Sequence, residues 1–104
     1  MIKGGPLGAL ARLRRAIDRA ALMYPEAGRS SRARTAVRVE LESALELARE
    51  EILDPLYWRS YDQLAGRLTA ALEHGEESSV LARRVLGLLN AHLLGRTGRG
   101  GRRG

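Results

Sequence analysis

Arginine is the residue type in this chain with chemistry to offer. Arg12, Arg15 and Arg19 recur at helical spacing, and Arg29, Arg32, Arg34 and Arg38 follow. A guanidinium keeps its charge and pairs phosphate through a planar fork of donors. A stripe of them on one helix face could track a phosphate backbone. The same stripe could equally be a solvated face, paired locally through Asp18 and neutralised by acids of the next helix. The chain closes on GRTGRGGRRG, which sets Arg96, Arg99, Arg102 and Arg103 among five glycines. Flexible Arg-rich segments bind RNA or single-stranded nucleic acid by phosphate pairing and stacking, with little sequence preference. A plain solubilising tail has the same composition.

Other constellations carry less. Tyr57, Trp58 and Tyr61 could form a stacking platform for bases, although aromatics just after a helix break more often plug a core. His74 and His92 are the only histidines, and neither has the paired spacing of a zinc or di-iron site. They read as a helix C-terminal histidine and an interfacial one. Glu40, Glu42, Glu46, Glu50 and Glu51 are spread around one helix and do not converge as a general acid/base pair would. The glycines at 95–101 have no strand before them and no helix after, so a phosphate loop is discarded. Cysteine is absent, which excludes disulfides and thiol catalysis. No nucleophile–base pair can be nominated. The expectation is a protein that is not an enzyme, with no cofactor and no metal.

Charge is distributed in blocks. Residues 1–38 hold nine Lys/Arg and two acids, +7; residues 39–77 hold three Arg and ten acids, −7; residues 78–104 hold six Arg and no acid, +6. Two basic blocks thus flank an acidic one. They either neutralise it, within or between protomers, or build a surface for a polyanion. The longest uncharged stretch, Val85–Gly95, is far short of the ~20 residues of a membrane span. Arg12, Arg14 and Arg15 interrupt any secretory apolar run. The Arg-rich, acid-poor start also fits an organellar transit peptide, but it reads well as a structural helix. The expected location is cytoplasmic, with no membrane partner.

These residues need elements to position them. With 104 residues and no Phe, a single thin core must come from Leu, Ala, Val and Ile, a composition that favours helices. A first helix is expected over about 7–24, with Leu10, Leu13, Ile17, Ala20, Ala21 and Tyr24 on its apolar face and Pro25 as its stop. A second is expected over about 32–53, capped by Ser30 or Ser31, with Val37, Leu41, Ala44, Leu45, Ala48 and Ile52 as its stripe. Its early residues are basic and its later ones acidic, which opposes the helix macrodipole. Partners elsewhere must compensate. Asp54-Pro55 ends it. Ser60 and Gln63 suggest a capping box for a third helix over about 61–74, ended by Gly75. A fourth is expected over about 80–94. Its second half is apolar nearly all round, so one side is expected to meet another chain through Val85, Leu86, Leu89 and Leu93.

From Ala20 to Leu72 the sequence resembles the S23-type four helix bundle protein family, which includes the accessory variability protein of diversity-generating retroelements. The similarity lies in Ala20-Ala21-Leu22-Met23-Tyr24-Pro25, Ala27-Gly28-Arg29-Ser30 and Glu40-Leu41-Glu42. It continues in Leu45, Leu47, Ala48, Tyr61 and Leu64, and Arg84-Val85-Leu86-Gly87 resembles part of the family's last helix. The resemblance implies an up-and-down bundle forming a ring-like oligomer, with basic surfaces that engage nucleic acid and a reverse transcriptase.

The chain is therefore expected to be all-α: a small up-and-down antiparallel bundle of about four helices. A flexible N-terminus (1–6), a bundle domain (7–94) and a disordered Arg/Gly-rich tail (95–104) are expected. The expected function is a non-catalytic nucleic-acid-binding accessory protein, homo-oligomeric, contacting RNA or DNA through Arg12, Arg15, Arg19, Arg29, Arg32 and the tail arginines. The competing expectation is a protein–protein adaptor, inhibitor or assembly subunit that uses the apolar helix at 80–94.

Overall fold

The computed structural model describes the backbone of residues 5–102 and the side chains of residues 5–95. Four helices follow one another: α1 (Gly5–Ala27), α2 (Ser31–Ile52), α3 (Trp58–Glu73) and α4 (Ser79–Arg102). A short 3-10 turn, Pro55–Tyr57, joins α2 to α3. No strand occurs among the described residues. The fold is all-α, an up-and-down antiparallel bundle, and α1 packs most extensively against α2. The expected flexible N-terminus lies mostly outside the described residues, and Gly5 and Pro6 already belong to α1. The tail expected to be disordered begins within α4. Its side chains from 96 onward, and all of 103–104, lie outside the described residues.

The core follows from the apolar spacings. Leu13, Leu41, Ile52, Tyr61, Leu68, Val85 and Leu89 are its largest fully enclosed side chains, drawn from all four helices. No polar or charged residue other than the two tyrosines is buried among the described residues. Ala9, Ala16, Ala44, Ala48 and Ala65 fill the remaining positions. Alanine there lets the helices approach closely and compensates for the missing Phe. Ala21, expected on the inner face of α1, is exposed. Leu53, expected off the stripe of α2, turns inward as its extended C-terminal cap and is buried.

Helix ends differ from the sequence reading in three places. Pro25 lies inside α1 rather than ending it. A proline in the last turn forfeits one bond, to the carbonyl of Ala21 on the exposed side. Burial of the Tyr24 ring, 2% exposed, outweighs the local preference against helix before proline. The stop is Gly28, at φ +57°, whose amide donates to the Pro25 carbonyl at 3.3 Å. The Ser60–Gln63 capping box does not form, because Ser60 lies inside α3. The 3-10 turn runs directly into that helix, so its first turn is already supplied by the preceding residues. The backbone of α4 continues past Gly95, the expected stop.

Two ends match the reading in atomic detail. Ser30 caps α2, its Oγ accepting from the Ala33 amide at 3.2 Å. Gly75, at φ +69°, closes α3 in a Schellman motif: Glu76 N–H donates to Ala71 O at 2.8 Å and Gly75 N–H to Leu72 O at 3.2 Å.

Candidate nucleic-acid interface

α1 carries the basic stripe because its inward face is fully committed. Ala9, Leu10, Leu13, Ala16, Ile17, Ala20 and Tyr24 are buried, which leaves Arg12, Arg15 and Arg19 on the exposed side. Together with Ala16, Glu40 and Ala44 these three line a groove of about 410 Å³ between α1 and α2. Their spacing covers roughly 10 Å along the axis. The two alanines contribute only short side chains to the groove.

Glu40 enters this groove from α2. Its Oε2 lies 3.5 Å from Arg19 Nε, and both side chains keep about half of their surface or more exposed (63% and 47%). Among the described residues Arg12 and Arg15 have no ion-pair partner within 4 Å. The stripe is thus neutralised at one position and open at two. Sequence reasoning did not single out Glu40 as a member of the arginine groove. The hairpin register contained the signal, since Arg19 and Glu40 stand at nearly equal distances from the turn at 28–30.

The other arginines divide. Arg29 and Arg32 are exposed at the α1–α2 turn, beyond the groove. Arg34 and Arg38 were expected to extend the stripe, but the structure uses them to hold the fold together. Arg34 Nη1 donates to the Gly28 carbonyl at 3.1 Å and Nη2 donates to the Glu73 carbonyl. Its guanidinium also sits 5.2 Å from the Tyr24 ring centroid. Arg38 pairs with the Glu73 carboxylate. The C-terminal ends of α1 and α3 are therefore met by cations from the start of α2. That contact answers the macrodipole problem of α2, because its early bases face the negative ends of two antiparallel neighbours. The Tyr24 hydroxyl is enclosed here without an aligned hydrogen bond. Burial raises its pKa, Glu73 adds to the rise, and Arg38 and Arg34 oppose it. Arg96, Arg99 and Arg102 follow on α4 with side chains outside the described residues, and Arg103 lies outside them altogether.

Two acids of α2 face elsewhere. Glu42 and Glu46 line a second groove, about 510 Å³, between α2 and α3, with Asp62 and Glu73 on its far side. At 3.6 residues per turn, positions 42 and 46 lie across the helix from 40 and 44. They do not neutralise the arginine groove directly. Two cations, Arg38 and Arg49, also line the acidic side. Arg49 Nε is 3.4 Å from Asp62 Oδ1.

The aromatic platform does not form. Tyr61 is a core residue, its hydroxyl donating to the Leu45 carbonyl at 2.7 Å. Burial raises its pKa, the Asp62 charge adds to the rise, and Arg49 partly opposes it. Trp58 donates through Nε1 to the Leu53 carbonyl at 3.2 Å, and the Arg49 guanidinium lies 4.1 Å from its ring centroid. That face is already taken by a cation–π contact. Tyr57 meets His92 edge-on, with centroids 4.4 Å apart. His92 Nδ1 lies 3.1 Å from the Leu88 carbonyl. His74 is the exposed C-terminal cap of α3.

The expected oligomer residues on α4 require correction. Val85 and Leu89 are 0% exposed, enclosed by the other three helices. Leu86 and Leu93 are partly buried and pack on the same core. The apolar surplus of this helix is largely absorbed within the protomer. Exposed large apolar side chains are found at Val80, where α4 starts, at Leu22, Met23 and Val39, and in a further set, Leu7, Leu56, Tyr57 and Leu94. The antiparallel order brings this last set to one end of the bundle: the start of α1, the 3-10 turn and the last described side chains of α4.

No described helix is long and apolar enough to cross a membrane. Among the described residues no group of three His, Asp or Glu side chains could hold a metal ion. No family model, no curated protein and no solved structure matches the chain. The resemblance to the four helix bundle family thus rests on its residues alone.

Proposed function

We propose that this chain is a non-catalytic nucleic-acid-binding accessory protein that engages the phosphate backbone through the α1–α2 groove. One observation carries the reading: Arg12, Arg15 and Arg19 share a groove, and two of them lack an internal counter-charge among the described residues. Two acids of α2, Glu42 and Glu46, line a different groove. Phosphate contacts of this kind position a nucleic acid without reading its sequence. Arg29 and Arg32 extend the contact around the turn, and the tail arginines supply a second attachment. The family resemblance adds a reverse transcriptase as the enzyme that such a protein would assist, and a homo-oligomer as its working form.

The test is affinity for a labelled structured RNA and for duplex DNA across a salt series. Both the full chain and a version ending at Leu94 should be measured. The reading expects log K to fall linearly with log salt, and the slope lost on truncation to count the tail's contacts. Absence of binding by either version at low salt would refute it. The second reading, a protein–protein adaptor, is favoured by the exposed end formed by Leu7, Leu56, Tyr57 and Leu94. Its affinity for a partner would change little with salt.

A further inference from the structure

The α1–α2 groove holds its own anion. Glu40 is the only acid among its lining residues, and it faces three arginines. One carboxylate oxygen, Oε2, lies 3.5 Å from Arg19 Nε, a place that a phosphodiester oxygen could take. Ala16 and Ala44 contribute only short side chains to the lining, which leaves room for an anion larger than a carboxylate. The pair is largely exposed, so it is weak and exchangeable.

We propose that Glu40 occupies a phosphate seat of the arginine groove and competes with nucleic acid for Arg19, holding affinity below what the three arginines alone would give. This rests on the nucleic-acid reading of the groove and adds its regulation. When a phosphodiester enters, the Glu40 carboxylate leaves Arg19 and returns to water. The seat then holds one phosphate per copy, and neighbouring phosphates meet Arg12 and Arg15. Any modification or partner that neutralises or withdraws Glu40 would switch the groove to a tighter state.

The experiment compares full-length wild type with Glu40→Gln, using a labelled single-stranded RNA across a salt series. Glu46→Gln is the control. It makes the same charge change on the same helix but lines the groove on the other side. An Ala44→Leu variant fills the groove without changing charge. Thermal melts establish that each variant is folded.

The proposal expects Glu40→Gln to tighten binding about three- to fivefold, the scale of an exposed ion pair, and Glu46→Gln to do less. It also expects this gain to shrink as salt rises, because both forms make the same phosphate contacts and salt screens the competing ion pair. Ala44→Leu should weaken binding. Equal gains from Glu40→Gln and Glu46→Gln would reduce the effect to general electrostatics and overturn the proposal. Inorganic phosphate titrated against the arginine side-chain NMR resonances separates the two readings. If no form binds RNA but Arg19 shifts with phosphate more strongly in Glu40→Gln, the nucleic-acid reading fails and the seat stands. If the arginine resonances respond alike in wild type and Glu40→Gln, the seat itself fails.

Discussion

Single residues fix the ends of the helices. Gly75 holds a left-handed conformation that a β-carbon resists, although nothing crowds that position. Gly75→Ala should therefore destabilise the protein by about 1 kcal/mol, through backbone strain and not through a clash, as read by chemical denaturation. Glu77 closes the start of α4. Its carboxylate accepts from the Ser79 hydroxyl and, at 2.8 Å, from the Ser79 amide. Those bonds, the hydroxyl first, lower its pKa below the ordinary 4.5. A lowered folded pKa contributes stability that is present above pH 4.5 and is lost as pH falls through the folded value. Wild type should thus melt above Glu77→Gln at pH 7, and the two should converge towards pH 3. A constant gap across that range would contradict the assignment. At this scale Ser30, Gly75 and the Asp54-Pro55 break were legible, because capping chemistry is local. The Ser60–Gln63 box misled, since the 3-10 turn had already supplied what a cap would provide.

At the scale of elements, the order of the helices and their inner faces could be read from periodicity. Leu41, Leu45, Ala48 and Ile52 lie where the spacing puts them. Pairings between helices could not be read, because nothing local encodes them. Arg34 illustrates this. In sequence it is one more cation of a basic run, yet in the fold it donates to carbonyls at the ends of two other helices. Replacing it with Met keeps the aliphatic stem and removes both bonds. Arg34→Met should cost about 1–2 kcal/mol, with the loss visible as faster amide exchange at the ends of α1 and α3. α4 offers a contrast along one helix. Leu89→Ala should cost about 2–5 kcal/mol, because that side chain is fully enclosed. Leu94→Ser, at a residue 63% exposed, should change monomer stability by no more than about 0.5 kcal/mol. An apolar run all round a helix implies burial on several sides. The reading expected a second chain to bury them, while three helices of the same chain already cover most.

For the whole molecule the deciding feature is how charge is sorted in space. The sequence showed two basic blocks around an acidic one and left their mutual neutralisation open. In the fold, Arg34, Arg38 and Arg49 meet carboxylates or carbonyls of α3 and the turns, whereas Arg12 and Arg15 remain uncommitted among the described residues. Neutralisation and surface charge therefore coexist on different sides of α2. The candidate aromatic platform was lost for the same reason: Arg49 covers Trp58, a contact between elements that spacing does not reveal.

The most direct test is the affinity of full-length protein for a labelled single-stranded RNA from low to high salt, beside the triple variant Arg12→Gln, Arg15→Gln, Arg19→Gln. The account predicts that the triple variant stays folded, binds more weakly at every salt concentration, and loses about 2 units of log–log salt slope, at about 0.7 per phosphate contact. An unchanged slope with an unchanged affinity would contradict it, and would leave the exposed end at Leu7, Leu56, Tyr57 and Leu94 as the working surface of the molecule.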